Sequence, residues 1–293
     1  MQRVDRLAID EKSWDQCVAD SGTSLPYGLC WYLDAVSNQW DGLILGDYEV
    51  VFPLVWERKW GVRRVYQPYY CQQLGFLGKR LPSPAELEWV FGELRKFWFA
   101  DLHLNYLNEI ADVHLFRREN FVLPLSFPYE QLFDGFSRDL RKCIRAASRN
   151  GLTISSPEQP ETFLDYYLQF LDRGKFNIKP RHEKIIQDLV YAAHRRGISL
   201  FRLVHHPDLG VVFCQFMINY NRRLLNLMAE GIPEARSLRA NHFVLNSLIR
   251  EYAGTSFVLD FEGSSVPAIA DFFRRFNPQS QPYMRFHRSI IPF

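Results

Sequence analysis

Residues 199–230 read SLFRLVHHPDLGVVFCQFMINYNRRLLNLMAE, and their patterning decides the fold. Apolar and β-branched residues crowd into three runs, Ser199 to Val204, Val211 to Tyr220 and Leu224 to Ala229. The first two are joined by His205-His206-Pro207-Asp208-Leu209-Gly210, the last two by Asn221-Arg222-Arg223. Short polar links between such runs predict a three-stranded meander. After it the spacing predicts a long helix from Leu238 to Tyr252, stopped by Gly254, and then a strand over Ser256 to Asp260.

Working outward, a last helix is expected over Pro267 to Phe276 and a terminal strand near Pro282 to His287. Upstream, Phe163 to Leu171 and Lys184 to Ala193 carry the apolar spacing of amphipathic helices. The first half repeats this order. Short helices over Trp14 to Ala19 and Leu29 to Val36 precede three β-rich runs at residues 43–45, 49–55 and 62–66, with Gly46-Asp47 at a hairpin turn. A helix opened by Ser83-Pro84 runs to about Trp98, followed by extended pieces around residues 103–107 and 120–125. The order helices, meander, helix, strand therefore occurs twice without residue-by-residue identity, so we expect a structural repeat with units at residues 1–130 and 131–293. It is not the alternating order of a dinucleotide-binding sheet, and neither GxGxxG nor GxxxxGK[ST] is present.

Composition narrows the function classes. The chain has 293 residues, 47% hydrophobic and 23% charged, with 15% aromatic residues and a net charge of +2, so its bulk charge selects no nucleic acid or membrane. The five cysteines are scattered and form no CxxC or zinc spacing, which implies reduced thiols and no metal. The N-terminus lacks the apolar core of a signal peptide and no apolar run reaches a membrane span, so a cytoplasmic protein is expected.

Three stretches resemble the FemAB-like transferases of the GNAT superfamily. Residues 140–154, LRKCIRAASRNGLTI, are similar to the basic segment that opens their second GNAT unit. Leu224 to Tyr252 resembles the strand–loop–helix core of that unit. Leu259-Asp260-Phe261-Glu262-Gly263-Ser264 with Ile269 to Phe276 resembles the strand and closing helix behind it. The resemblance implies an α/β (α+β) fold of tandem GNAT-like units, each a mixed, largely antiparallel sheet flanked by helices. It is similar to the uncharacterised bacterial branch labelled putative acetyltransferase. It further implies an N-acyltransferase moving an acetyl or aminoacyl group to an amine, with acetyl-coenzyme A, another acyl-coenzyme A or aminoacyl-tRNA as donor. The amine would belong to a small molecule or a cell-wall precursor, and tRNA would be a partner.

GNAT enzymes bind the donor pyrophosphate at backbone amides of a helix N-terminus, through a loop [R/Q]-x-x-G-x-[G/A]. The matching stretch here is Arg236-Ser237-Leu238-Arg239-Ala240-Asn241, in which Arg239 and Asn241 replace the small residues. Arg236, Arg239 and Asn241 are the donor-binding candidates, with anion contacts from side chains; Ser237 as N-cap of the helix satisfies the same residues. Arg138, Arg141, Lys142, Arg145 and Arg149 recur at offsets of three and four and share one helical face. That stripe suits phosphates, and it equally suits a solvated face. Asp260, Glu262 and Ser264 alternate at a strand end, which makes Glu262, with Asp260, the candidate general base; Asp260 and Ser264 suit helix capping as well.

The aromatic and amide cluster Tyr66 to Gly75 contains Gln72 and Gln73, which suit either a polar ligand cleft or a self-satisfying loop. His205-His206 read as a hairpin loop, and Cys214 as core. Two functional readings follow: the N-acyltransferase, and a non-catalytic GNAT-fold module that binds a phosphorylated or nucleotide-linked ligand.

Overall fold

The computed structural model of the chain describes residues 1–59, 61–110, 114–174, 178–263 and 266–289. The first elements are β1 (Gln2–Asp5), α1 (Glu11–Ala19), α2 (Cys30–Val36), β2 (Trp40–Leu45), β3 (Val50–Lys59), β4 (Val62–Val65), β5 (Leu77–Gly78), α3 (Pro84–Arg95), β6 (Phe99–His103) and β7 (Leu115–Arg118). Local chemistry sets several of their ends. Pro84 opens α3, and Ser83 and Glu86 form a reciprocal capping box. Arg80 also reaches the Glu86 carboxylate at 2.7 Å, and this hydrogen bond holds its pKa down at about 2.

The first sheet runs β1-β2-β3-β4-β6, with β5 beside β3. Its pairs are antiparallel except β4 with β6, the two strands that α3 joins. A parallel pair needs such a crossover, because a tight hairpin only returns the chain antiparallel. Trp14 packs on Trp40 with ring centroids 5.2 Å apart, and its Nε1 donates to the Gly28 carbonyl at 2.8 Å. Gly42 lets that indole lie on β2, since a Cβ there would sit 2.5 Å from the Trp14 ring.

The second unit contains β8 (Phe121–Pro124), α4 (Tyr129–Gly135), α5 (Arg138–Ala147), β9 (Thr153–Ser155), α6 (Pro160–Phe170), α7 (Pro180–His194), β10 (Ser199–His206), β11 (Gly210–Tyr220), β12 (Arg223–Gly231), α8 (Glu234–Leu238), α9 (Ala240–Tyr252), β13 (Val258–Asp260), α10 (Pro267–Arg274) and β14 (Gln279–Ser280). Its sheet order is β14-β8-β13-β12-β11-β10-β9, and here the parallel pair is β12 with β13. Both sheets are thus mixed and largely antiparallel, with helices packed on them. On one face Leu140 and Ile144 of α5 meet Leu245, Leu248 and Ile249 of α9 and Met217 of β11. Against α6, Phe163 stacks on Phe201 with centroids 5.3 Å apart.

The last strand, β15 (Tyr283–Ser289), leaves the second unit and pairs with β6 and β7 in the first sheet. The compact units are accordingly Met1–Arg118 with Pro282–Phe293, and Glu119–Gln281. Division at residue 130 therefore misplaces two strands: β8 lies in the second sheet and β15 in the first. Sequence spacing sets where a strand forms but not which edge receives it. Two further corrections concern local structure. The helix expected from Leu238 is broken at Arg239, whose φ of 59° is left-handed, so α9 starts at Ala240 with Arg239 as N-cap. Ser237 lies inside α8 and donates to the Glu234 carbonyl at 2.8 Å. His205 and His206 end strand β10 rather than forming a loop, and His205 Nε2 lies 2.7 Å from Ser155 Oγ.

Candidate functional site

The left-handed turn at Arg239 separates two helices and opens a cavity of 520 Å³ at the start of α9. Its lining draws on β11 and β12, on both helices of the turn, and on α5 and the end of α10. Arg236, Arg239 and Asn241, the three donor-binding candidates, all line it. Arg275 joins them, and none of the three arginines forms an ion pair with a carboxylate among the described residues. Three guanidinium groups without a carboxylate partner among the described residues suit an anion, and guanidinium geometry suits phosphate oxygens.

The cavity has an apolar side as well. Phe213, Ile232 and Phe272 line it, and Gly231 brings the β12 backbone close. A Cβ on Gly231 would stand 2.6 Å from the Val212 carbonyl oxygen, so only glycine fits there. Two buried polar atoms in lining residues, Asn241 Oδ1 and His242 Nδ1, have no hydrogen-bond partner among the described residues. A third, Oε1 of fully buried Gln215, belongs to the residue that follows Phe213 on the same face of β11. Orphaned buried polar atoms are rare in folded proteins, and two of them, on Asn241 and His242, belong to residues that line this cavity. Desolvation, then the charges of Arg239 and Arg275, lower the His242 pKa to about 4, so its imidazole is neutral at neutral pH.

Sequence reasoning missed Cys143, His242, Gly231 and Arg275. His242 adjoins Asn241 and was within reach of the same helix-start argument. Cys143 and Arg275 carried no such signal, because each is far along the chain from the turn. Cys143 sits on α5 at the edge of the stripe Leu140–Ile144–Ala147 that is buried, and Arg239 Nη1 donates to its Sγ at 3.0 Å.

The other candidates fall elsewhere. Asp260 is fully buried and accepts from Arg223 Nε at 2.8 Å, Asn120 Nδ2 at 3.1 Å and the Glu262 amide at 2.8 Å. A carboxylate engaged in this way holds the strand end together. The strand alternation expected to align Asp260 with Glu262 is broken, because Glu262 has a left-handed φ of 63°. Desolvation raises the Glu262 pKa to about 8, a value suited to a base at neutral pH. Ser264, the third member of that series, lies outside the described residues.

In the basic stripe, Arg138, Lys142, Arg145 and Arg149 are exposed, while Arg141 is half-buried and pairs with Asp134 at 3.5 Å. Helix α5 ends at Ala147, so Arg149 lies past its C-cap and off the helical face assigned to it. The amides of Gln72 and Gln73 serve their own loop. Gln73 is buried, its Nε2 donates to Gln72 Oε1 at 2.6 Å, and its Oε1 accepts from the Tyr106 amide at 2.8 Å. His103 Nδ1, 2.8 Å from the Gln72 carbonyl, helps fix that loop, and burial lowers its pKa to about 4. Of the two readings of Gln72 and Gln73, these bonds fit the self-satisfying loop. Cys214 is buried as expected.

Among the described residues no group of three or more His, Cys, Asp or Glu side chains could hold a metal ion. No described helix is long and apolar enough to cross a membrane.

No family model matches the chain, and no curated protein matches it by sequence. Solved structures do match it in fold. FemX superposes with a TM-score of 0.64 at 12% identity, over 97% of each chain. The C-terminal domain of a putative lysylphosphatidylglycerol synthetase from Agrobacterium fabrum gives 0.59 at 10% identity, covering 94% of this chain and 91% of that one. A conserved protein of unknown function from Bacteroides thetaiotaomicron gives 0.57 at 11% identity, over 95% of each chain. The chain is thus similar in fold to these proteins along nearly its whole length, and what they share is this two-unit α/β fold.

Proposed function

We propose that this chain, whose fold is that of FemX, is an N-acyltransferase that takes an acyl group from a phosphate-bearing donor and passes it to an amine. The single observation that carries the reading is the cavity at the start of α9, where three arginines without carboxylate partners among the described residues share the lining with two orphaned polar atoms. The first-turn amides of α9 lie at the same end, and no side-chain cap hydrogen bond engages them. Together they offer a seat for donor phosphates, with the apolar wall of Phe213, Ile232 and Phe272 beside it for the remainder.

Arg239 stands where glycine would give the closest backbone approach, so side chains replace some of the backbone contacts. Glu262, which does not line that cavity and whose carboxyl loses its proton near pH 8, is the proposed base for the incoming amine in its ionised form above that pH, and Asp260 positions the turn that carries it. The basic stripe Arg138, Arg141, Lys142, Arg145 and Arg149 is the proposed contact for a nucleic-acid donor such as aminoacyl-tRNA. The name lysylphosphatidylglycerol synthetase belongs to a structure of similar fold and supports an aminoacyl group as one class of cargo.

Calorimetry with acetyl-coenzyme A and with desulfo-coenzyme A tests the donor seat. Micromolar to millimolar binding that weakens at least tenfold in Arg236→Ala and Arg239→Ala supports it, since each lost charge-assisted bond is worth about 1.5–3 kcal/mol. Tighter binding in Arg239→Ala would instead show that its side chain blocks the phosphates. Absence of binding in every protein removes coenzyme A and leaves aminoacyl-tRNA, or a module that binds without chemistry.

A further inference from the structure

We infer that Cys143 accepts the acyl group from the donor, so that transfer runs through a thioester on the protein. The inference rests on reading the cavity as the donor site, and it adds a covalent step that this reading does not require.

Of the five cysteines, Cys17, Cys30, Cys71 and Cys214 are buried, and Cys143 alone is partly exposed. Burial raises the pKa of Cys17 to about 11 and those of Cys30, Cys71 and Cys214 well above the ordinary value, which keeps these thiols inert. Cys143 lines the 520 Å³ cavity and receives a guanidinium N–H from Arg239 at 3.0 Å. A guanidinium N–H directed at the sulfur would stabilise the negative charge that develops there as the thiol attacks. Position 143 is fixed by packing. It lies three residues after buried Leu140 and one before buried Ile144, on a helix packed against α9.

The remaining parts of an acyl-transfer site surround the same space. His242 lines the cavity, its Nδ1 has no hydrogen-bond partner among the described residues, and its neutral ring can pass a proton to the departing group. The first turn of α9 directs amide N–H groups toward an oxyanion formed there. A nucleophile, a cation touching it, a neutral imidazole and a helix N-terminus lining one cavity are the parts that acyl-enzyme chemistry needs.

The step balances without a further reactant. The Cys143 sulfur attacks the donor carbonyl, and a C–S bond to the protein forms. The bond from that carbonyl to the donor's thiol or ribose hydroxyl breaks, and the departing group takes the proton that the thiol gave to His242. The amine then attacks the protein thioester, the new C–N bond replaces C–S, and the thiol regains a proton from the amine.

The test uses the full chain, with acetyl-coenzyme A and p-nitrophenyl acetate as separate probes and peptide mapping by mass spectrometry. The expected result is one acetyl group on Cys143, released by neutral hydroxylamine and absent in Cys143→Ala. Its formation should exceed the rate of glutathione at the same pH by roughly tenfold and fall by roughly tenfold in Arg239→Gln, the equivalent of one charge-assisted bond. Cys143→Ala should still bind acetyl-coenzyme A by calorimetry, which separates the two readings. If wild type binds acetyl-coenzyme A but neither probe acylates Cys143 faster than glutathione, the covalent step is wrong and the donor seat stands. Acylation by p-nitrophenyl acetate without acetyl-coenzyme A binding supports the nucleophile and removes that donor. Failure of both binding and acylation overturns the inference together with coenzyme A as donor.

Discussion

Arg223 and Asp260 meet at 2.6 Å with their side chains 5% and 0% exposed, and they join the parallel strands β12 and β13. The guanidinium also donates to Gln281 Oε1 at 2.5 Å, and Asn120 donates to the carboxylate, so the ions are embedded in a bonded network. Removing one partner leaves the other charge buried. Asp260→Asn should therefore lose about 3–5 kcal/mol in urea denaturation, while the double change Arg223→Met, Asp260→Leu should recover part of that loss. A loss below about 1 kcal/mol in the single variant would show that water reaches the pair.

Glu262 makes two linked predictions. The unfolded carboxyl ionises from about pH 4.5, whereas the folded one keeps its proton to about pH 8. The folded state thus binds more protons across that window, and stability falls as pH rises through it. Glu262→Gln should remove this decline and match wild type at acid pH. If Glu262 is also the base, the transfer rate of wild type should rise with a limb near pH 8 and that of the variant should not. A limb that survives the substitution assigns the base elsewhere.

His103 and His242 act in the opposite direction. Each has a folded pKa near 4 against the ordinary histidine value of 6.5, with burial as the first cause. Below about pH 6.5 the unfolded chain takes up protons that the folded chain refuses, so stability drops between pH 6.5 and 4. His242→Gln should flatten part of this drop and His103→Asn another part. The effects should add, since the two residues belong to separate units. Chemical denaturation at about pH 7 and about pH 5 reads both, and an unchanged slope in either variant refutes that assignment.

The basic stripe should matter for binding and hardly at all for folding. Replacing Arg141, Lys142 and Arg145 by Ala should change stability by less than about 1 kcal/mol in total, because these side chains are exposed or only loosely paired. Affinity for total tRNA should fall, and the slope of log affinity against log salt should shrink by roughly 0.7–0.9 per charge that contacts phosphate. Equal slopes in both proteins would make the stripe a solvated face.

The amino-acid sequence by itself determined the mixed α/β class, the strand–helix order of the meanders, and the helical face that carries Arg138, Arg141, Lys142 and Arg145. These depend on neighbours a few residues apart: apolar spacing in α9, the turn residues between β10, β11 and β12, and Ser83-Pro84 before α3. It also placed Arg236, Arg239 and Asn241 near one site, because all three belong to one turn. Only the tertiary structure decided that β15 returns to the first sheet, that Arg239 adopts a left-handed φ, and that Asp260 is held by Arg223. It alone brought Cys143 to Arg239 across 96 residues of chain. Spacing and propensity act along the chain, whereas strand partners, buried ion pairs and cavity walls depend on how distant faces fill space together.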